Sequence, residues 1–323
     1  MKMEVLRFNL RRAPVVSLLL FMIMAAGCQC EPSPQVVVYT SQDRVYAEPI
    51  FQEFTRRTGI KVSALYDSEA AKTVGLANRL LAEKSHPQCD LFWNNEELRT
   101  WQLAAKNVVE TNWPSLGYRA RRMVLNTNQL SIQIIPLISG DGKNLGLRDL
   151  AISFTSGKVA LAYPLFGTTA THLMALRQYW GEKKWEQWCR ALQAKKPFLV
   201  DGNSAVVNLV GRGEALVGLT DSDDIAAGQR EGLPVAGVDV GDVPQMLIPN
   251  TVALVIGRRH SAEATSLANF LREGPTMKRL VDAHALDSVD PPDTVSGRLV
   301  VNYPDLLRDL EAATRTLEEI FLK

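Results

Sequence analysis

Six short polar clusters punctuate the chain, each directly after an apolar run. They are Thr40-Ser41-Gln42-Asp43, Asp67-Ser68-Glu69, Asn94-Asn95-Glu96, Gly167-Thr168-Thr169, Asp201-Gly202-Asn203-Ser204 and Thr220-Asp221-Ser222-Asp223-Asp224. Carboxylates dominate them: Asp43, Asp67, Glu69, Glu96, Asp221, Asp223 and Asp224, with Arg44, Lys72 and Arg99 as the basic neighbours in sequence. Carboxylate oxygens suit a hard, highly charged cation, and Asp43, Asp223 and Asp224 are the candidate metal ligands. Gly167, Thr168 and Thr169 point the other way, because N–H groups and hydroxyls at a helix start suit an anion. Together these features allow a metal–oxyanion complex or a zwitterion such as an aminophosphonate. Ser41, Ser68, Asn95, Asn203 and Ser204 complete the candidate ligand contacts. For any single cluster the plainer alternative is a helix cap, worth about 1 kcal/mol. Six clusters at equivalent positions say more than any one of them.

The elements between the clusters place them at equivalent positions. Val36–Tyr39, Val62–Tyr66, Leu91–Trp93, Val159–Tyr163, Phe198–Val200 and Leu216–Leu219 read as buried strands. Helical periodicity follows. Tyr46, Ile50 and Phe54 recur every fourth residue before Gly59, with Pro49 implying a kink or a late start. Leu76, Ala77, Leu80 and Leu81 form a second stripe, and Leu173, Leu176 and Trp180 a third. Continuous apolar strands alternating with amphipathic helices predict an α/β fold with mostly parallel sheets. In such folds the ligand crevice lies beyond the carboxyl ends of the strands, where the six clusters fall. Two further extended stretches, Arg119–Asn128 and Met246–Ile256, read as the two crossings of a two-lobed chain. The expected organisation is one discontinuous lobe at 36–128 and 249–323 and a second at 129–248.

With 323 residues, 46% hydrophobic and 22% charged, the chain is globular, and a net charge of +1 gives no reason to expect nucleic acid. Lys2, Arg7, Arg11 and Arg12 head an apolar run from Val15 to Ala26, too short to span a bilayer but suited to a signal peptide. The run ends Ala25-Ala26-Gly27-Cys28, which resembles a bacterial lipobox; the alternative is an ordinary signal peptide cut nearby. The reading is a signal peptide at 1–27, lipidation at Cys28, a tether at 28–35 and export to the periplasmic or cell-surface side of a membrane. Losing residues 1–27 removes four of 36 Lys and Arg and one of 35 Asp and Glu, leaving −2. Cys89 and Cys189 read as isolated buried thiols, or as a pair in an oxidising compartment. His86, His172, His260 and His284 have no zinc spacing, and no Gly-x-Ser-x-Gly, His-Glu-x-x-His or phosphate-loop pattern occurs. No enzyme activity and no resident cofactor are expected.

Several of these segments carry a family resemblance. Val36–Thr40 with Phe51–Val62, Tyr66–Leu80, Cys89–Glu96, Phe166–His172, Val200–Ser204 and Pro249–Leu254 resemble extracellular solute-binding proteins of ABC importers. The branch resembled contains the ferric-iron-binding proteins. The resemblance implies a two-lobed, type II periplasmic binding fold with two hinge strands. It implies capture of a small-molecule or metal ligand between the lobes by a monomer, and delivery to a permease and its ATPase, or report to a sensor. Ferric iron or a ferric chelate is the ligand it favours, with an organic phosphate or aminophosphonate as the alternative. The ferric proteins resembled place two adjacent tyrosines in the second lobe; here that segment reads Thr220-Asp221-Ser222-Asp223-Asp224. The tyrosinate pair is replaced by carboxylates.

If Cys28 is the lipid acceptor, labelled fatty acid should enter the wild type and not Cys28→Ala. Equal labelling of both would show that the cleavage site lies elsewhere.

Overall fold

Apolar strands and amphipathic helices alternate through most of the computed structural model, which describes residues 33–67, 74–129, 145–291 and 297–323. The chain divides into two units, Met1–Pro34 and Gln35–Lys323, and the secondary structure described here belongs to the second. Ser68, Glu69, Lys72 and Cys28 lie outside the described residues.

The first half of the unit contains β1 (Gln35–Thr40), α1 (Arg44–Thr58), β2 (Lys61–Tyr66), α2 (Val74–Ala82), β3 (Leu91–Asn94) and α3 (Leu98–Ala105). The long strand β4 (Ser115–Asn126) leads to the second half: α4 (Leu147–Ile152), β5 (Val159–Ala162), α5 (Gly167–Trp180), α6 (Glu182–Ala194), β6 (Phe198–Val200), α7 (Asn203–Gly211), β7 (Val217–Asp221), α8 (Ser222–Arg230) and β8 (Val235–Val238). The strand β9 (Leu247–Leu254) returns to the first half, followed by α9 (Ser261–Leu271), α10 (Gly274–Asp282) and α11 (Tyr303–Phe321).

The strand order is β2-β1-β3-β9-β4-β7-β5-β6, with β8 also on β4. Parallel pairs build each half, β1 with β2 and β3, and β5 with β6 and β7. The crossings are antiparallel: β4 pairs with β9 through Gly117–Ala120 and with β7 through Arg121–Leu125. One strand thus carries both a first-half and a second-half register. Helices cover both faces of each half. Tyr46, Ile50 and Phe54 of α1 pack with Leu267 and Phe270 of α9 over β1 and β3, while Leu76 and Leu80 of α2 join Phe92 on the other face. In the second half, Leu173, Trp185 and Leu192 of α5 and α6 share a core with Leu317 and Phe321 of α11. Val206, Val210 and Ile225 of α7 and α8 pack opposite them. Gly218 lets α7 approach, since a Cβ there would lie 2.3 Å from a Val206 methyl.

Pro49 sits inside α1, which starts at Arg44 without delay and ends on Gly59 in the left-handed conformation. Trp93 is a core residue, edge-on to Phe51, with its Nε1 donating to Asn250 Oδ1 at 2.6 Å. Cys89 and Cys189 are both buried and free.

Asp90 anchors the foot of the first half. It is buried and accepts backbone N–H groups of Val37, Arg259 and His260 at 2.8–3.0 Å, plus His260 Nδ1 at 2.8 Å. Burial alone would raise its pKa, but the Val37 and His260 contacts outweigh that and hold it below the usual value. A lowered native pKa gives stability that is present above the unfolded value and lost as pH falls. Asp90→Asn should therefore cost about 1–3 kcal/mol at neutral pH, and the gap from wild type should shrink below about pH 4. Urea melts across pH 3–7 measure this; a gap that widens with acid would contradict it.

Candidate functional site

Five of the six polar clusters meet in or beside one cavity of about 40 Å³, room for about three waters. Asp43 and Asn95 line it from the first half. Gly167, Thr168, Thr169 and Asn203 line it from the starts of α5 and α7, and Asp221, Asp223 and Asp224 from the start of α8. Arg119, Tyr163, Phe166 and Asp201 also line it, and none was a sequence candidate.

The remaining candidates stand outside the lining. Ser41 is buried behind it, donating to Asn94 Oδ1 at 2.7 Å and accepting the Asn95 N–H at 2.9 Å. Glu96 is buried and accepts the Leu98 and Arg99 N–H groups at 2.6 and 3.0 Å, so it closes the start of α3. It also accepts the Thr171 hydroxyl of α5 at 3.2 Å, a bond from one half to the other. Burial raises its pKa, against the opposing pull of Arg99. Asp67 accepts the Leu76 N–H of α2 at 3.4 Å. Ser204 lies in the first turn of α7 and its carbonyl accepts from Asn208.

Capping does not account for the second-half clusters. The N-cap positions of α5 and α7 are Phe166 and Gly202, which offer no side-chain acceptor, and the Asp221 carboxylate makes no cap bond to α8. The hydroxyls and amide sit one to three residues inside the helices and are used otherwise. Thr168 Oγ1 and Asn203 Nδ2 donate to Asp221 Oδ2 at 2.7 and 2.9 Å. First-turn N–H groups of α5 and α7 thus reach the cavity edge without a side-chain acceptor of their own N-caps, the arrangement that binds anions. Gly167 makes the α5 turn possible at φ 55°, a left-handed conformation that side chains disfavour.

Two buried arginines of β4 change the charge of the site from the acidic mouth that the clusters suggest. Arg121 Nη1 donates to Asp221 Oδ1 at 2.5 Å, to Asn203 Oδ1 at 3.2 Å and to Thr168 Oγ1 at 3.3 Å; its Nη2 reaches Thr169 at 3.3 Å. Arg119 Nη1 donates to Asp223 Oδ2 at 2.5 Å and lies 3.9 Å from Asp221. Arg119 Nη2 donates to the Asn95 carbonyl. Both arginines and both aspartates are buried. Burial would lower the Arg119 pKa, but Asp223 and Asp221 hold it raised. Asp223 is pushed up to about 6 by burial, only partly opposed by Arg119, with Asp221 and Asp43 adding to the rise. Among the described residues Asp223 Oδ1 has no hydrogen-bond partner although it is buried. His172 of α5 is buried too, and burial together with Arg121 lowers its pKa well below the usual value, so it is neutral.

The arginines were legible in principle. Arg119 and Arg121 are two apart on a strand and share a face, and Arg121 pairs in register with Asp221. A buried arginine in a strand must find a carboxylate.

The chemistry on offer is mixed. Asp221 is saturated by Arg121, Thr168 and Asn203. Asp223, Asp224, Asp43 and Tyr163 supply oxygen donors, and the three oxygens of Asp221, Asp223 and Asp224 lie within 4.8 Å of one another. The N-termini of α5 and α7 border the same cavity.

A profile of bacterial extracellular solute-binding proteins matches residues 35–284. The major ferric iron-binding protein of Neisseria gonorrhoeae is 25% identical over 201 residues, 55% of this chain; that of Neisseria meningitidis matches to the same extent. The match spans 56% of these relatives' own length. In three dimensions the chain is similar to AfuA from Actinobacillus pleuropneumoniae with exogenous fructose-6-phosphate bound (TM-score 0.76, 16% identity, 90% of this chain and 99% of that one). It is also similar to iron-bound HitA from Pseudomonas aeruginosa (TM-score 0.73, 17% identity, 88% and 99%). These likenesses establish the type II periplasmic binding fold.

Removing one partner of a buried ion pair strands the other. Arg121→Met should lower stability by about 3–5 kcal/mol, and adding Asp221→Asn should restore part of it. Urea midpoints at unchanged slope report this; a neutral single variant would mean that Asp221 finds another partner.

Proposed function

This chain belongs to the bacterial extracellular solute-binding proteins, and we propose that it is the ligand-capturing component of an ABC importer that takes ferric iron together with a small oxyanion. The observation that carries the reading is a juxtaposition. Asp223 Oδ1, buried and without a partner among the described residues, and the starts of α5 and α7, whose N-caps offer no acceptor, border the same cavity of about 40 Å³. Asp223, Asp224 and Asp43 offer hard oxygen to the ion, with Tyr163 beside them. The N–H groups of α5 and α7 offer an oxyanion its complement. The relatives named for ferric iron support the ion, and the small cavity favours a compact complex.

The protein acts outside the cytoplasm as a monomer held by lipid on Cys28, and hands its ligand to a permease driven by an ATPase. Its lobes, 36–128 with the chain that follows β9, and 129–248 with α11 packed on α5 and α6, close on the ligand about β4 and β9. The bonds Thr171–Glu96 and Arg119–Asn95, and Arg230 Nη2 donating to Tyr46 Oη at 2.6 Å, join the halves. They are available to favour the closed state only if opening breaks them. Capture, not turnover, is the activity.

A second reading has its own support. Arg119 and Arg121 already occupy Asp223 and Asp221, which leaves the N–H groups as the stronger recognition element and favours an organic phosphate or aminophosphonate. One experiment separates the two. Protein purified without denaturation should carry iron and an oxyanion in about equal amounts by metal analysis and mass spectrometry. After stripping, ferric citrate should bind at least tenfold more tightly than fructose 6-phosphate or an aminophosphonate. The reverse order would select the organic phosphate.

A further inference from the structure

Arg119 joins three things that a ligand would also have to join. Its Nη1 donates to Asp223 Oδ2 at 2.5 Å, on the start of α8 in the second half. Its Nη2 donates to the Asn95 carbonyl, after β3 in the first half. Its guanidinium lines the cavity, is almost completely buried, and among the described residues its Nε has no partner. A residue with a purely structural salt bridge has no need to border the cavity or to bridge the halves.

We propose that Arg119 is a built-in competitor for the cation subsite: with the site empty, its guanidinium stands against Asp223 where a ligand's positive centre would stand, and so sets which charge of ligand the site accepts. This rests on the preceding reading of the cavity as the ligand site, and adds the residue that governs its selectivity. The geometry gives the mechanism. Asp223 has one oxygen on Arg119 and the other, buried at the cavity, without a partner among the described residues. A cation that approaches the unpartnered oxygen meets the guanidinium charge across the same carboxylate, in a site with little water to screen it. It binds well only if an anion comes with it to offset Arg119, or if Arg119 gives way. A ligand that presents only an oxyanion meets Arg119 as an attractive charge. One side chain therefore pushes the two ligand classes in opposite directions.

Opposite signs make the test selective. Stripped wild type and Arg119→Met are titrated with ferric ion supplied from nitrilotriacetate and, separately, with inorganic phosphate. Loss of the guanidinium should raise ferric affinity at least tenfold and lower phosphate affinity at least tenfold. A merely structural role would lower both. Arg119→Lys keeps a positive charge but not the two-nitrogen fork, and should leave ferric affinity below that of Arg119→Met. If Arg119→Met does not fold, Arg119→Gln keeps hydrogen-bond donors without the charge and carries the same expectation. Ferric affinity in the folded neutral variant that equals or falls below wild type overturns the competitor while leaving the ferric reading intact. Ferric binding gained by the variant but missing in wild type upholds the competitor and removes that reading. No ferric binding in either overturns both.

Discussion

Four buried charges at one crossing, Arg119 and Arg121 of β4 with Asp221 and Asp223 of the β7–α8 junction, organise this molecule. Ions so buried cost several kcal/mol each unless they are paired and hydrogen-bonded. Pairing is possible only in one register. Arg121 lies opposite Asp221 in the β4–β7 ladder, and a slip of one residue would turn both arginines to the other face. The strand that crosses between the halves is thus locked against β7. Locking β4 to β7 also fixes the junctions beside it, because Asp221 holds Thr168 of α5 and Asn203 of α7. Three helix starts converge on the cavity because their polar side chains share one carboxylate.

That arrangement explains why good capping residues are not caps here. Thr168, Thr169 and Asn203 are drawn into the Arg121–Asp221 network, and the caps of α5 and α7 fall to Phe166 and Gly202. What stabilises the junction therefore leaves backbone donors facing the cavity. Donors held in place by the fold need no further ordering when a ligand arrives, which lowers the cost of binding.

Much of the fold was readable from the sequence because the signals were local. Strands such as Val36–Tyr39 and Val159–Ala162 are continuous apolar runs, and α1 shows its stripe of Tyr46, Ile50 and Phe54. The long crossings also showed as extended stretches. Long-range outcomes were not readable in the same way. The apolar face of α11 is plain in its own sequence, but its packing onto α5 and α6 depends on surfaces more than a hundred residues away. In the site, residue type found Asp43, Asn95, Thr168, Asn203 and the three aspartates, since short polar residues after a strand are a local pattern. Tyr163 ends an apolar strand run and Phe166 precedes the polar cluster, so neither shows by residue type. Arg119 and Arg121 give no local signal, because an arginine in a strand reads as solvent-facing until the strand is known to be buried on both sides.

The missed arginines alter what the acidic residues mean. Counted alone, Asp221, Asp223 and Asp224 at a helix start form a cation trap, helped by the helix dipole that stabilises each carboxylate. Counted with Arg119 and Arg121, two of the three carboxylates already face a buried arginine. A site of that kind has no strong preference of its own for either charge. Its preference comes from whether a ligand can replace an existing partner: Asp221, bound by an arginine, a threonine and an asparagine, is costly to release, while Asp223, bound through one oxygen to one arginine, is not. In the proposed reading of this cleft, selectivity therefore resides in the weaker of the two pairs, Arg119 with Asp223, where Arg119 also reaches the Asn95 carbonyl of the first half.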